Sequence, residues 1–255
     1  CVITYPKAGT TWTQEIVWLV CNEADTEMAK TTNLEDRFPC LELPVPGIKT
    51  IAKSPSPRFI KTHLPHGVCP PDIWRKGAKV VYTTRNPKDV SVSVYHFLRL
   101  LTATNFKGTF SQFFPLFADK WAIYGGFWYH VLGFWKRRDE PNILFMTYEE
   151  MLQDTPKAIR KIASYLEKDL TDEQVRKIAF HCSFDQMKNN PSANMSWMQE
   201  TGVWKNNEFT NNGGLMRKGK VGDWRNHYTQ VQSEEVDRLN REILEPHDLS
   251  FVYDL

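Results

Sequence analysis

The stretch Thr4–Trp12, with the sequence TYPKAGTTW, decides how the amino end of this chain folds. A short apolar run at Val2–Tyr5 predicts a strand that leads into it, and apolar residues at helical spacing predict a helix that leaves it. A strand, a glycine-containing turn and a helix in this order aim backbone N–H groups and a helix N-terminus at one point. Lys7 adds a full positive charge. The stretch therefore predicts a binding site for a phosphate-like anion.

The same stretch differs from the loop that binds nucleoside triphosphates in many enzymes. That loop has the pattern G-x-x-x-x-G-K-[ST], in which the lysine follows the last glycine and a hydroxyl serves magnesium. Here Lys7 precedes Gly9, and two threonines follow the glycine. Taken alone, the stretch leaves an ordinary strand-to-helix connection with a surface lysine open as an alternative.

Composition excludes several classes of protein. A chain of 255 residues, 41% of them hydrophobic, suffices for one sizeable core. Its net charge of +2 implies no nucleic-acid partner. Five scattered cysteines without a C-x-x-C pair argue against a disulfide framework or a metal site, and they predict a reducing, cytoplasmic compartment. No apolar run approaches the roughly 20 residues of a membrane span, so no membrane partner is expected.

Short apolar runs that predict buried strands alternate with helical patterns along the chain. The runs are Val2–Tyr5, Phe59–Thr62, Lys79–Thr84 and Ile143–Thr147. Thr171 and Gln174 form a capping box that opens one of the helices. This alternation predicts one α/β domain over residues 1–255, with a central parallel sheet covered by helices on both faces. The stretches Leu43–Pro57 and Asn189–Gly214 are predicted loops.

A polar or cationic side chain follows each predicted strand at its carboxyl end. These side chains are Lys7 after the first strand, Lys61 and His63 after the second, Arg85 after the third and Tyr148 after the fourth. In an open parallel sheet the carboxyl ends form the edge at which ligands bind. We therefore expect these side chains to surround one site. Such a side chain after one strand could be a coincidence, but its occurrence after all four strands is much less easily explained by chance.

Several of these residue types suit the transfer of an anionic group. Lys61 can stabilise charge that shifts during the transfer, and His63 can take a proton from an incoming hydroxyl. Arg85 can bind a phosphate bidentately, and Ser93 can share that phosphate if the intervening loop folds back. The basic stretch Arg217–Lys220 is either a second phosphate clamp or a solvated charge run.

Aromatic side chains suggest where a base and an apolar molecule can bind. Trp12 and Phe184 can stack on a purine, although both types are more often core residues. Further aromatic and apolar residues can line a cavity or pack in the core, namely Phe97, Leu101, Phe106, Phe110 and Phe114.

Five motifs stand in the order and with roughly the spacing of the cytosolic sulfotransferases, which the chain resembles over nearly its whole length. The motifs are Tyr5–Trp12, Lys61–Pro65, Arg85–Ser93, Tyr148-Glu149, and Arg217–Gly219 with Gly222–Trp224. The resemblance implies a single α/β domain related to P-loop nucleotide kinases, the donor 3′-phosphoadenosine 5′-phosphosulfate (PAPS), the product 3′-phosphoadenosine 5′-phosphate (PAP) and no metal ion. It also implies that an amino-terminal segment precedes this sequence.

The resemblance implies donor-binding roles for most of the motif residues. Those implied for the 5′-phosphosulfate are Lys7, Ala8, Gly9, Thr10, Thr11 and Trp12. Those implied for the 3′-phosphate are Arg85, Ser93, Arg217, Lys218 and Gly219. Those implied around the adenine are Trp12, Tyr148, Cys182, Ser183, Phe184, Met187 and Met216. Cys182 stands where the family more often has threonine.

The catalytic roles implied by the resemblance fall on a smaller set. His63 matches the general base, Lys61 the lysine that steadies the sulfuryl group, and Lys7 the group at the bridging oxygen, with Ser93 counted beside them. Phe97 and Leu101 join Lys61 and His63 in the expected acceptor site. The segment Pro191–Met216 is longer than in typical relatives and is expected to cover that site.

The sequence supports one function above an alternative. The first is sulfuryl transfer to a hydroxyl of a small apolar acceptor, such as a phenol, a steroid or another alcohol. The alternative is a non-catalytic nucleotide-binding module or an ATP-dependent small-molecule kinase relative, which the order of Lys7 and Gly9 disfavours. A homodimer stays open, because the family's dimer motif is matched only in part at Arg225, Thr229-Gln230 and Glu234.

Overall fold

A four-stranded parallel sheet forms the centre of the computed structural model, which describes residues 1–44, 47–119, 121–205 and 214–255. Its strands are β1 (Val2–Thr4), β2 (Lys61–Thr62), β3 (Val80–Thr84) and β4 (Ile143–Thr147). They lie side by side in the order β2-β1-β3-β4. Each predicted strand is present, although β2 keeps only the last two residues of its predicted run. The α/β fold with a parallel sheet is confirmed.

Helices connect and follow the strands. In chain order they are α1 (Thr10–Cys21), α2 (Thr26–Thr31), α3 (Leu34–Arg37), α4 (Ile48–Lys53), α5 (Asp72–Arg75), α6 (Pro87–Leu100), α7 (Phe110–Ala118), α8 (Phe127–Trp135), α9 (Tyr148–Gln153), α10 (Thr155–Tyr165), α11 (Asp172–His181), α12 (Phe184–Lys188), α13 (Pro191–Asn194), α14 (Trp197–Glu200) and α15 (Gln230–Ile243). Within the described ranges, no helix is both long and apolar enough to cross a membrane.

Both faces of the sheet are covered, as the two-residue period of the strands requires. On one face, Val2 and Val81 pack with apolar residues of α1, α10 and α11. On the other face, Ile3 and Tyr82 pack with Phe134 of α8. All residues of β1 and β3 are buried, which is typical of strands in a parallel sheet between two helical layers.

Two stretches predicted as loops contain short helices, so those predictions are wrong in part. Leu43–Pro57 includes α4, and the described part of Asn189–Gly214 includes α13 and α14. Proline and serine suggested turns there, but both also favour the first positions of a helix. Asn190 illustrates this, because its side chain accepts a hydrogen bond from the Ser192 N–H at the start of α13. The predicted capping box of Thr171 and Gln174 does open α11.

Candidate active site

The carboxyl ends of the strands open into one cavity of about 600 Å³. Lys7, His63, Arg85 and Tyr148, which follow four different strands, all line it. The remaining predicted site residues that line it are Gly9, Thr10, Thr11, Trp12, Lys61, Ser93, Phe97, Leu101, Cys182, Ser183, Phe184, Met187, Met216, Arg217, Lys218 and Gly219. Seven separated segments of the sequence therefore converge on this cavity.

Ala8 is the predicted site residue that the structure does not bring to the cavity. Its side chain is fully buried in the core with Tyr5 and Val90. Its N–H donates to the carbonyl of Tyr5 at 3.2 Å and closes the turn. The donor-binding role expected for Ala8 therefore stays a prediction, because its side chain faces the core while its neighbours Lys7 and Gly9 line the cavity.

The turn before α1 is shaped to receive an anion. Gly9 is the N-cap of α1 with φ 107°, and it offers no side chain to cap the first N–H groups of the helix. A Cβ at Gly9 would lie 2.9 Å from a ring carbon of Tyr148, so only glycine fits. Uncapped N–H groups at a helix N-terminus bind anions readily.

Lys7 sits among other cations inside this cavity. Burial, together with the positive charges of Arg217, Arg85 and Lys61, lowers the pKa of Lys7 to about 7. Its Nζ donates to the carbonyl of Leu215 at 3.3 Å and lies 4.9 Å from the centre of the Phe97 ring. The pKa of a buried lysine is lowered in this way where other positive charges lie nearby and no bound anion balances them.

A second cationic group lies at Arg85 and the loop after residue 214. Arg85 donates to the carbonyl of Lys220 at 2.6 Å and stacks 4.4 Å from the centre of the Tyr148 ring. Its Nε is buried and has no hydrogen-bond partner among the described residues. Arg217 and Lys218 each contact the carboxylate of Asp223 at 2.5 Å.

Asp89 fixes this loop to the start of α6. Its carboxylate accepts hydrogen bonds from the N–H groups of Gly222 at 2.9 Å and Trp224 at 3.1 Å. Sequence reasoning assigned no role to the stretch Gly222–Trp224 and missed Asp89. No local signal indicates a contact between residues that lie more than 130 positions apart.

Aromatic rings flank the region between the two cationic groups. The Trp12 and Tyr148 rings lie 5.2 Å apart in an edge-to-face arrangement. The Trp12 Nε1 is buried, and no atom in the described part of the chain forms a hydrogen bond with it. Phe184 packs so closely on Gly219 that a Cβ there would lie 2.2 Å from the ring. These surfaces suit a planar base.

His63 presents a neutral imidazole to the cavity. Its Nδ1 lies 3.0 Å from the carbonyl oxygen of Thr4, which can only accept, so Nδ1 carries the proton. Burial and the charge of Lys61 lower the pKa of His63 to about 3. The Nε2 atom is therefore left with a lone pair that can accept a proton.

Two carboxylates that sequence reasoning missed lie beside this histidine. Glu35 forms a buried ion pair with Lys61, so the charge of Lys61 is balanced within the protein. Glu42 accepts a hydrogen bond from the backbone N–H of His63 at 2.6 Å. Both precede β2 in a region whose sequence pattern showed only turns and short apolar runs.

The rest of the cavity is apolar. Its lining beyond the predicted Phe97 and Leu101 includes Ile123, Tyr124, Met195, Met198, Val203, Trp204 and Leu215. Trp204 is buried and pairs with Leu101 in an isolated antiparallel bridge. Phe106, Phe110 and Phe114 pack in the core instead. The described part of Pro191–Met216, the segment expected to cover the acceptor site, therefore contributes side chains to the wall of the cavity.

The sulfotransferase-domain family model matches residues 1–246. The chain belongs to the sulfotransferase family. It is 38% identical to mouse sulfotransferase 1B1, with 100% of this chain and 85% of that protein covered. It is 38% identical to the amine sulfotransferase of Oryctolagus cuniculus, with 100% and 83% covered. Human sulfotransferase 1E1 is 36% identical, with 98% and 85% covered.

Solved sulfotransferase-like structures agree with the fold. Retinol dehydratase in complex with androsterone and PAP matches with a TM-score of 0.88 and 31% identity, covering 98% of this chain and 81% of that one. Mouse sulfotransferase SULT7A1 complexed with PAP matches with a TM-score of 0.77 and 29% identity, covering 97% and 84%. The predicted family is confirmed, and the kinase alternative finds no support in these relatives.

The cavity of this sulfotransferase fits the family's donor, PAPS. Two cationic groups, one around Lys7 and one around Arg85, suit a nucleotide with anionic groups at both ends. The partnerless Arg85 Nε and Trp12 Nε1 supply donors that a ligand can satisfy. Gly9 and Gly219 leave room where any larger residue would clash. Within the described residues, no group of three or more His, Cys, Asp or Glu is arranged to hold a metal ion.

Proposed function

We propose that this protein transfers the sulfuryl group of PAPS to the hydroxyl of a small apolar acceptor, such as a phenol, a steroid or another alcohol. One observation carries the proposal: a neutral histidine, His63, lies in a single cavity that is cationic on one side and apolar on the other. Lys7 lies where the cationic side meets the apolar side, because its ammonium lies against the ring of Phe97.

The charges and shapes of the lining support the donor-binding roles that the family resemblance implies. Lys7 and the uncapped N-terminus of α1 hold the phosphosulfate end, and Arg85, Ser93 and Arg217 hold the 3′-phosphate. The rings of Trp12 and Phe184 stack on the adenine, with Tyr148, Cys182, Ser183, Met187 and Met216 beside it. When bound, PAPS supplies the activated sulfuryl group.

His63 acts as the general base of the transfer. The Thr4 carbonyl holds the proton on Nδ1, so Nε2 accepts the proton of the acceptor hydroxyl. The anionic donor offsets the charge of Lys61, which is one cause of the lowered pKa of His63.

The two lysines contribute positive charge at different places. No carboxylate of the described residues pairs with Lys7, and its ammonium stabilises the negative charge that the leaving phosphate gains. Lys61 shares its charge with Glu35, so it presents a weaker field to the sulfuryl group than Lys7 does. Because sulfuryl carries less negative charge than phosphoryl, these cations suffice without magnesium.

The apolar lining argues for an uncharged acceptor. Ile123, Met195, Met198 and Trp204 offer no partner for a charged group, and burial of an unpaired charge is costly. The structures of retinol dehydratase with androsterone and with retinol support the same class of acceptor.

The proposal is tested by transfer of label from ³⁵S-PAPS to phenols, steroids and aliphatic alcohols. His63→Ala is expected to lower kcat by about 10²–10⁴-fold while the Kd for PAP changes less than about twofold. His247→Ala is the matched control, because His247 lies at the far end of the chain near α15 and outside the cavity. Unchanged turnover in His63→Ala removes His63 from the mechanism.

A thermal-shift comparison tests the choice of nucleotide. PAP at a concentration far above its Kd is expected to raise the melting temperature, because it binds only the folded protein. ATP with magnesium is expected to raise it much less, because the 3′-phosphate clamp at Arg85 and Arg217 then has no ligand. A larger shift with ATP would overturn the proposed donor.

Homodimerisation and a cytoplasmic location stay predictions. In the structure, the partial dimer motif is engaged within the chain: Arg225 contacts Asp254 at 2.5 Å, and Gln230 donates to Glu234 at 2.8 Å. Sedimentation of the purified protein tests whether it forms a dimer. Substitution of Val231, which is 74% exposed beside this motif, tests whether a dimer forms through this surface.

A further inference from the structure

The backbone of His63 is held by side chains rather than by the sheet. The last register pair of β2 joins Ile3 with Thr62, so His63 lies one residue beyond the ladder. Its N–H donates to Glu42, and its carbonyl accepts from Nε2 of His130 at 3.0 Å. The position of the proposed base therefore depends on two side chains from distant parts of the sequence.

His130 is built to donate this hydrogen bond. The residue is 1% exposed, and burial lowers its pKa to about 4, so the ring is neutral near pH 7. A carbonyl can only accept, so the proton of the neutral ring lies on Nε2. Nδ1 must then accept, and it lies 2.9 Å from the hydroxyl of Tyr82, which donates to it.

The packing around His130 leaves its ring little freedom. Tyr82 is fully buried on β3 in the middle of the sheet and stacks on Phe134 at 4.2 Å. The His130 ring packs on Tyr82 at 5.7 Å and meets Tyr5 edge-to-face at 5.6 Å. A chain of hydrogen bonds thus runs from the rigid centre of the sheet to the edge residue His63.

We propose that His130 is a positioning residue for sulfuryl transfer: its Nε2–H fixes the carbonyl of His63, and Tyr82 holds the ring in the tautomer that can donate. The inference rests on the proposed role of His63 as the general base. A base must lie within hydrogen-bond reach of the proton it takes, and small displacements of a reacting group are costly in rate. His130 acts through His63 and touches no reacting atom.

The variants separate the hydrogen bond from the packing. His130→Phe keeps an aromatic ring and removes the donor, and Tyr82→Phe keeps the stacking and removes the group that sets the tautomer. Each is expected to lower kcat by about tenfold, the effect of one hydrogen bond, with the Kd for PAP changed less than about twofold. His130→Gln can still donate from its amide and is expected to recover most of the rate.

A matched control tests for a general loss of stability. Tyr165→Phe also removes a bonded hydroxyl, which accepts the Val80 N–H at 3.0 Å near the opposite end of β3. This variant is expected to keep the wild-type kcat. A tenfold loss of kcat in Tyr165→Phe as well would show that such changes act through the fold, and it would overturn the inference.

A double-mutant cycle with His63→Ala gives the decisive readout. If His130 acts only through the imidazole of His63, then His130→Phe has no further effect on the residual rate of His63→Ala. An equal factor in both backgrounds overturns the inference, and so does an unchanged kcat in both His130→Phe and Tyr82→Phe. If His63→Ala itself is fully active, the proposed function of His63 fails, which is a distinct result. Should His130→Phe not fold, Tyr82→Phe is carried through the same cycle.

Discussion

Gly219 offers a sharp test of the adenine site, because replacing it with alanine moves a specific ring. The added Cβ of Gly219→Ala would lie 2.2 Å from one carbon of the Phe184 ring and 2.8 Å from two others. Carbon atoms need roughly 3.5 Å, so the ring must move by about 1.3 Å. Phe184 lines the cavity where the base is proposed to stack, and the displaced ring closes part of that space.

The expected magnitude combines two separate effects. Alanine at φ +63° costs about 1–2 kcal/mol, which lowers the melting temperature by about 2–8 °C in a chain of this size. Loss of base stacking on Phe184 costs about 1–3 kcal/mol of binding, which weakens the Kd for PAP by about 5- to 150-fold. The first effect concerns the backbone alone, whereas the second requires the clash.

Isothermal titration calorimetry with PAP separates these effects when Gly77→Ala is the control. Gly77 has φ +60° with nothing within 4 Å of a Cβ, so this substitution brings the same backbone strain without a clash. It is expected to lower the melting temperature while leaving the Kd for PAP unchanged. In a Phe184→Ala background, Gly219→Ala is expected to cost little further affinity. The reasoning is refuted if Gly219→Ala binds PAP as tightly as the wild type does.

Further predictions concern charge and the covering segment. Because the pKa of Lys7 is about 7 in the free protein, the Lys7 amine is expected to take up close to one proton when PAP binds at pH 8, and the affinity for PAP falls as the pH rises above 7. Calorimetry in buffers of different ionisation enthalpy measures this uptake. Glu35→Gln leaves Lys61 as an unpaired buried charge and is expected to cost about 3–5 kcal/mol of stability by denaturant unfolding. Trp204→Ala removes a buried side chain next to Lys205, whose backbone N–H donates to the Leu100 carbonyl. The rate of hydrogen exchange of the Lys205 amide is therefore expected to rise by tenfold or more.

Each of these predictions has a comparison that can contradict it. Lys7→Met should abolish the proton uptake, and uptake that persists in this variant belongs to another group. Glu27→Gln breaks an exposed ion pair with Lys30 and should cost less than about 1 kcal/mol. Equal losses of stability in Glu35→Gln and Glu27→Gln would contradict the argument that burial makes the Lys61–Glu35 pair more important. Val203→Ala, at a position 45% exposed, should leave the exchange of Lys205 nearly unchanged.

Much of the fold and of the donor site follows from local sequence. The strand before Lys7 and the strands before Arg85 and Tyr148 are short apolar runs, and the parallel arrangement brings their ends together without further information. Gly9 marks the anion-binding turn predicted before α1. A glycine at the N-cap has no side chain to cap the first N–H groups of the helix. The roles of these residues in binding and catalysis stay predictions until variants are measured.

The contacts missed by sequence reasoning join residues that are far apart in the chain. His130 reaches His63 across 67 positions, and Asp89 reaches Trp224 across 135. A side chain that satisfies a backbone group at such a distance leaves no periodic pattern. Ala8 shows a different limit, since a motif marks a whole stretch although the side chain of one residue within it packs in the core.

The bonds from Asp89 to Gly222 and Trp224 have a consequence for how the protein comes into being. A ribosome releases the turn at Gly9 first and the basic loop after residue 214 some two hundred residues later. Until that loop has emerged and docked, the nascent chain holds only one half of the proposed nucleotide clamp. If the proposed donor site is right, tight binding of PAPS therefore requires that the loop has docked.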